Sequence, residues 1–124
     1  MEFIKHSDIK ISQNNGFESH QLIFQENSSS ERVTITRVFL QPGATNLRHS
    51  HEHSEQVWIA LSGTSELLLH DDQTKPFEPG DVVRFADGDI HGLHNNSDLV
   101  FEYLAVTSPP INFRYAYKSE REQN

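Results

Sequence analysis

The sequence predicts an all-β domain of the sandwich or jelly-roll kind, and three observations carry that prediction. Apolar, β-branched and aromatic residues gather in short runs of the sort that favour strands. Clusters of Asn, Asp, Gly, Pro and Ser separate those runs at short, even intervals. No window of about a dozen residues repeats its apolar positions with the 3.6-residue period of an amphipathic helix. Many short strands of this kind suit two sheets closed over one core, an arrangement that limits exposed sheet edges.

In chain order the expected strands cover residues 9–11, 18–24, 33–40, 56–61, 64–70, 75–78, 82–85, 92–95 and 99–107. Asn14-Asn-Gly and Asn27-Ser-Ser-Ser separate the first three, and Gln41-Pro-Gly ends the third. Ser62-Gly, Asp71-Asp, Pro79-Gly-Asp, Asp87-Gly-Asp and Asn95-Asn-Ser-Asp punctuate the rest, each supplying residues that turn the chain at little steric cost. From Thr107 the chain reads Ser-Pro-Pro-Ile-Asn-Phe-Arg-Tyr, and adjacent prolines oppose both helix and central strand. An extended arm is expected there, covering the barrel or a partner subunit. Residues 1–117 are expected to form one domain and 118–124, polar and charged, a frayed tail.

At 124 residues with 35% hydrophobic content, the chain has material for one core without added staples. Ten basic against 18 acidic residues give a formal charge of -8, which argues against nucleic acid or an anionic membrane as partner, since both need a cationic face. There is no cysteine, which excludes thiolate metal sites, thiol catalysis and disulfides. Any metal must therefore bind through imidazole, amide or oxygen. The first residues lack the apolar core of a signal peptide and no run approaches a membrane span, so a cytoplasmic location is the expectation.

Residues 43–63 pack His49, His51, His53 and Gln56 directly ahead of an apolar run. Histidines two apart point to the same side of an extended strand, so one ion can take both His49 and His51. A third imidazole would complete a triad, and His91 offers it, just after a glycine turn that can aim its ring inward.

With these two segments in view, the chain resembles the cupin superfamily. The first cupin motif is glycine, five residues, His, one residue, His, three or four residues, Glu, six residues, glycine; Gly43, His49, His51, Gln56 and Gly63 stand at those spacings, with glutamine in place of glutamate. The second is glycine, five residues, proline, one residue, glycine, two residues, His, three residues, Asn; Gly80, Ala86, Gly88, His91 and Asn95 take those places, with alanine for proline. The resemblance implies a single antiparallel jelly-roll barrel, a double-stranded β-helix, forming a homodimer and binding one divalent transition metal (Fe, Mn, Ni, Zn or Cu). It implies His49, His51, Gln56 and His91 as ligands. Glu55 is the alternative to Gln56, because the family also tolerates a gap of three. Counting back from Gly63 favours Gln56, and a strand starting there puts Gln56, Trp58 and Ala60 on one face.

Three neutral imidazoles and a neutral amide would leave a divalent ion its full charge, making it a strong Lewis acid toward an anionic or enolisable oxygen. The replacement also removes a carboxylate base, so proton transfer would fall to another group: His53, Glu55, His94 or Tyr103. Trp58, Arg84, Phe101 and Tyr103 are expected around the substrate. The first motif resembles that of cupins that process unsaturated uronates in pectin and alginate breakdown. The implied function is a non-redox isomerase, cyclase or lyase acting on a small oxygenated molecule such as a sugar acid or keto compound. A dioxygenase of an enolisable substrate and a non-catalytic small-ligand binder are the alternatives.

Overall fold

Ten strands, all paired antiparallel, make two sheets in the computed structural model, which describes residues 1–111. The expected tail 118–124, and residues 112–117 of the expected domain and arm, lie outside the described residues. The strands are β1 (Lys10–Asn14), β2 (Phe17–Ile23), β3 (Thr34–Leu40), β4 (Thr45–His49), β5 (Glu55–Ser62), β6 (Ser65–Leu68), β7 (Thr74–Phe77), β8 (Val82–Phe85), β9 (His91–His94) and β10 (Phe101–Ser108). One sheet runs β1-β2-β3-β10-β5-β8 and the other β4-β9-β6-β7. The antiparallel all-β expectation holds, with two departures. The strand β4 escaped the sequence reading, and the run 64–70 stops at Leu68. Beyond it Asp71 and Asp72 take positive φ (54° and 58°) and draw His70 into a three-residue 3-10 turn. The Asn15-Gly16 pair makes a two-residue hairpin between β1 and β2, with Gly16 at φ 81° supplying the positive φ that a type II turn places at its third residue.

The inner face of the larger sheet changes character row by row. Cross-strand register sets Phe17, Leu40 and Phe101 side by side, then Ser19, Val38, Tyr103 and Ala60. Next come Gln21, Thr36, Ala105 and Trp58, and last Thr34, Thr107 and Gln56. The apolar rows meet Leu67, Phe77 and Leu93 of the smaller sheet to form the core, where Phe77 and Phe101 pack with ring centroids 5.7 Å apart. The polar rows have no such partner and open instead on a cavity of about 1140 Å³. One sequence period, two residues per turn of the pleat, thus builds a packed end and a wet end in the same sheet.

The two histidine-bearing segments are tied together by Asn95, fully buried just after β9. Its amide donates to Leu40 O (2.9 Å) and Leu99 O (2.8 Å), and its oxygen accepts from Ser97 N (3.0 Å) and Ser97 Oγ (2.7 Å). Its backbone N–H donates to Ala44 O and its carbonyl accepts from Gly43 N, joining the start of one histidine segment to the end of the other. Replacement by alanine strands the buried Leu40 carbonyl, at a cost of about 1–3 kcal/mol, while Leu99 O keeps Ser97 Oγ at 3.1 Å. We expect Asn95→Ala to lower unfolding free energy by at least about 1 kcal/mol, seen as a drop in urea midpoint; an unchanged midpoint would show the clamp to be dispensable.

Candidate metal centre

The register between β4 and β9 contains an irregularity on which the site depends. Asn46 pairs with Leu93 and His49 with His91, so three steps along β4 match two along β9. The extra residue is a bulge at Leu47 and Arg48, and a bulge reverses the faces of everything beyond it. Without it Asn46 and Arg48 would share the inward face; with it His49 turns inward and is buried beside His91. Gly92 sits opposite the bulge. A Cβ on Gly92 would lie 2.7 Å from Asn46 O and 3.0 Å from Arg48 N, so no other residue fits without moving β4.

His51 stands past the end of β4, not on it, so the same-strand expectation is met at His49 alone. His51 is held instead through its backbone, its carbonyl accepting from Gly88 N at 2.8 Å, with Gly88 at φ 84° in the turn ahead of His91. Ring centroids are 4.4 Å apart for His49 and His91, 4.9 Å for His49 and His51, and 5.2 Å for His51 and His91. The nitrogens these rings can offer an ion all lie within 4.8 Å of one another.

Each buried ring is oriented by a carbonyl. His49 Nδ1 donates to Leu47 O (2.7 Å) and His91 Nδ1 to Asp89 O (2.9 Å), which fixes the tautomer and leaves the lone pair on Nε2. His91 is further stacked on Phe85 (4.5 Å, 17°) and edged by Trp58. Among the described residues, His91 Nε2 is the buried side-chain polar atom with no hydrogen-bond partner. Burial, reinforced by the neighbouring His49, pushes the His51 pKa down to about 4 and the His91 pKa down to about 3. Both rings are therefore neutral near pH 7, the state in which imidazole ligates. An orphaned nitrogen, oriented tautomers and neutral rings fit a divalent transition ion.

Gln56, the second residue of β5, lines the cavity with Trp58, His49 and His51. Its Oε1 accepts from Trp58 Nε1 (3.1 Å) and its Nε2 donates to Thr107 Oγ1 (3.0 Å). Indole can only donate, so the amide oxygen is fixed on the Trp58 side and keeps a second lone pair. Trp58 and Ala60 are buried, and Leu61 is exposed, as the alternation from Gln56 predicts.

The other candidates scatter. Tyr103 lines the cavity, 3% exposed, its ring 5.1 Å from Trp58. Glu55 does not face the histidines: one residue from Gln56, it points out and pairs with Arg84 at 2.7 Å. Arg84, its partner, likewise lies on the outer face, because Phe85 next to it faces in. Phe101 is in the closed apolar core and does not line the cavity. His53 is exposed on the bend after His51, and His94, hydrogen-bonded to Thr45 Oγ1 (2.7 Å), lies outside the cavity wall. Sequence reasoning missed Gly92, Thr107 and Ser54, whose Oγ holds Pro109 O at 2.8 Å and ties the His51 loop to the chain after β10. Adjacency to His91 was the available signal for Gly92; Thr107 and Ser54 carried none.

A family model described as a cupin domain matches residues 36–107. The chain belongs to the cupin family. This cupin is 29% identical over 90 residues to the oxalate-binding protein of Thermotoga maritima, a match covering 72% of this chain and 73% of that protein. It is 28% identical over 78 residues to the mannose-1-phosphate guanylyltransferase of Sinorhizobium fredii, covering 63% of this chain and 15% of that protein, so the chain spans a small part of that relative's length. The structure of the polyketide cyclase RemF from Streptomyces resistomycificus matches its fold with TM-score 0.74 and 22% identity over 89% of this chain and 80% of the other.

Two outcomes are expected of this geometry. Gly92→Ala should displace the bulge and weaken metal uptake at least tenfold while far-ultraviolet circular dichroism stays β-like; undiminished uptake would mean the bulge does not set the ligand. In the metal-free protein, the folded pKa values of His51 and His91 lie below the ordinary value of 6.5, so the unfolded chain takes protons first as pH falls. Stability due to these rings is present above pH 6.5 and is lost as pH falls from there to about 4 for His51 and about 3 for His91. The urea midpoint should fall from pH 7 to pH 5, less steeply in a His51→Asn, His91→Asn double variant.

Proposed function

We propose that this cupin is a metal-dependent, non-redox enzyme, an isomerase, cyclase or lyase acting on a small oxygenated substrate such as a sugar acid or keto compound. The observation that carries the reading is the convergence of three imidazoles, His49 and His51 on the cavity wall and His91 buried behind them, with His91 Nε2 lacking any partner among the described residues. His49, His51 and His91 would hold the ion, with Gln56 Oε1 as fourth donor. A divalent ion there would supply Lewis acidity toward a carbonyl or enolisable oxygen.

The chain's own residues do the rest. Leu47 O and Asp89 O keep the two buried rings aimed, and Trp58 and Thr107 keep the Gln56 amide from rotating. Of the four proposed proton carriers, Tyr103 is the one on the cavity wall, so its phenol is the group to hand a proton to, or take one from, a bound substrate. The cyclase fold-likeness and the first-motif resemblance to uronate-processing cupins support this class. A second reading, a non-catalytic binder of small acids, draws support from the 29% identity to an oxalate-binding protein.

Metal analysis of the purified chain should find one transition ion, lost in a His49→Ala, His91→Ala double variant; stoichiometric metal in that variant would sink the assignment. Gln56→Glu should hold the ion more tightly yet bind azide several-fold more weakly, because a carboxylate cancels one unit of its charge. With turnover of a sugar acid or keto compound in hand, Tyr103→Phe should lower kcat by about 10²–10⁴ with metal content unchanged. Oxygen consumed in step with turnover would move the reading to a dioxygenase, and binding without turnover would move it to the binder.

A further inference from the structure

The described walls of the cavity carry little charge. Among the described residues, the charged lining apart from the histidines is Glu31 and Arg48. Arg48 is already committed: Nε donates to Leu69 O at 2.8 Å, a second nitrogen reaches Gln73 O at 3.4 Å, and the third is 3.9 Å from the Asp72 carboxylate. Glu31, an exposed lining residue, repels anions. Phosphate esters are commonly held by Arg or Lys forks or by the N-terminus of a helix of some length, and the described walls present no such helix and no uncommitted fork.

What the walls present is neutral and bifunctional. The polar rows of the larger sheet bring Gln21, Thr36, Thr34, Thr107 and Gln56 to the cavity. Gln21, 7% exposed, accepts from Thr36 Oγ1 at 3.2 Å, which directs its amide N–H donors to the cavity. Thr107 accepts from Gln56 Nε2, so its own hydroxyl hydrogen can serve a ligand. Amides and hydroxyls that both donate and accept match the hydroxyls of a polyol. At about 1140 Å³ the cavity exceeds the roughly 300–1,000 Å³ of ordinary ligand pockets, with room for a sugar-sized molecule and its bridging waters.

We propose that the cavity takes a polyhydroxylated, unphosphorylated compound of at most one negative charge, its hydroxyls bound along Gln21, Thr36 and Thr107 and its charge matched at the histidine cluster. The proposal deepens the metal-enzyme reading and rests on it for the last clause alone.

Calorimetric titration of the metal-loaded full chain with gluconate and with 6-phosphogluconate, one skeleton with and without phosphate, tests it, with azide as a probe of the ion alone. Gluconate should bind at least tenfold more tightly than 6-phosphogluconate. Gln21→Leu and Thr36→Val should each weaken gluconate about fivefold, the value of one hydrogen bond near 1 kcal/mol, and leave azide unchanged. Equal or tighter binding of the phosphate ester, no gluconate binding, or indifference of gluconate to both variants would overturn the proposal even where metal and azide bind normally. If the chain takes up no metal, the metal reading falls by itself. A gluconate preference that depends on Gln21 and Thr36 in the metal-free protein would then still support the polyol assignment, and its absence would overturn that too.

Discussion

The bulge at Leu47 and Arg48, seated against Gly92, decides which face of β4 carries a ligand. Regular pairing would send His49 to the outside, where a histidine is an ordinary solvated residue, and the approach of two backbones that permits the bulge exists because position 92 has no Cβ. From that point the rest follows by proximity. His49 meets His91 across the ladder at 4.4 Å, and the carbonyls that orient each ring come from two residues before it in its own chain segment. The Gly88 turn then brings the His51 backbone into place. A centre assembled from backbone geometry in this way does not need a long-range ion pair to hold it.

The same economy shapes the cavity. A fold that alternates inward and outward residues must fill whatever it encloses, and here it fills only half, with Leu40, Phe101, Phe77 and Leu93. Toward the histidines the inward positions become threonine and glutamine, which satisfy one another pairwise, Thr36 with Gln21 and Gln56 with Thr107. Each pair quenches part of its hydrogen-bonding capacity and leaves the remainder for a guest, so the wall is stable when wet and still able to recognise.

Much of this was readable in the chain because it is local. Breakers such as Pro79-Gly-Asp and Asp87-Gly-Asp act over three or four residues, so most strands fell near where they were expected, and the histidine spacing pointed to His49, His51 and His91 together. What could not be read depends on register. The strand β4 is polar, short and interrupted by its own bulge, so no alternation announces it. Arg84 and Phe101 were expected at the substrate, yet which face each takes is fixed only once β8 and β10 are paired to β5, and those pairings place Arg84 outside and Phe101 in the core. The Thr107 contact spans 51 residues to Gln56 and has no signature in either segment.

One step of register also separates two chemistries. Glu55 and Gln56 are neighbours, and had β5 entered the sheet one residue earlier, the carboxylate would stand beside the histidines and the amide would meet Arg84. The observed pairing, Gln56 with Thr107 and Phe85, does the reverse and spends the carboxylate on a surface ion pair, where it is worth little. With neutral rings at His51 and His91, and Glu31, exposed, as the lining carboxylate among the described residues, an ion held by the histidines would keep its charge until a substrate neutralised it. Negative charge would then enter the site with the substrate, and binding and activation would be one electrostatic event.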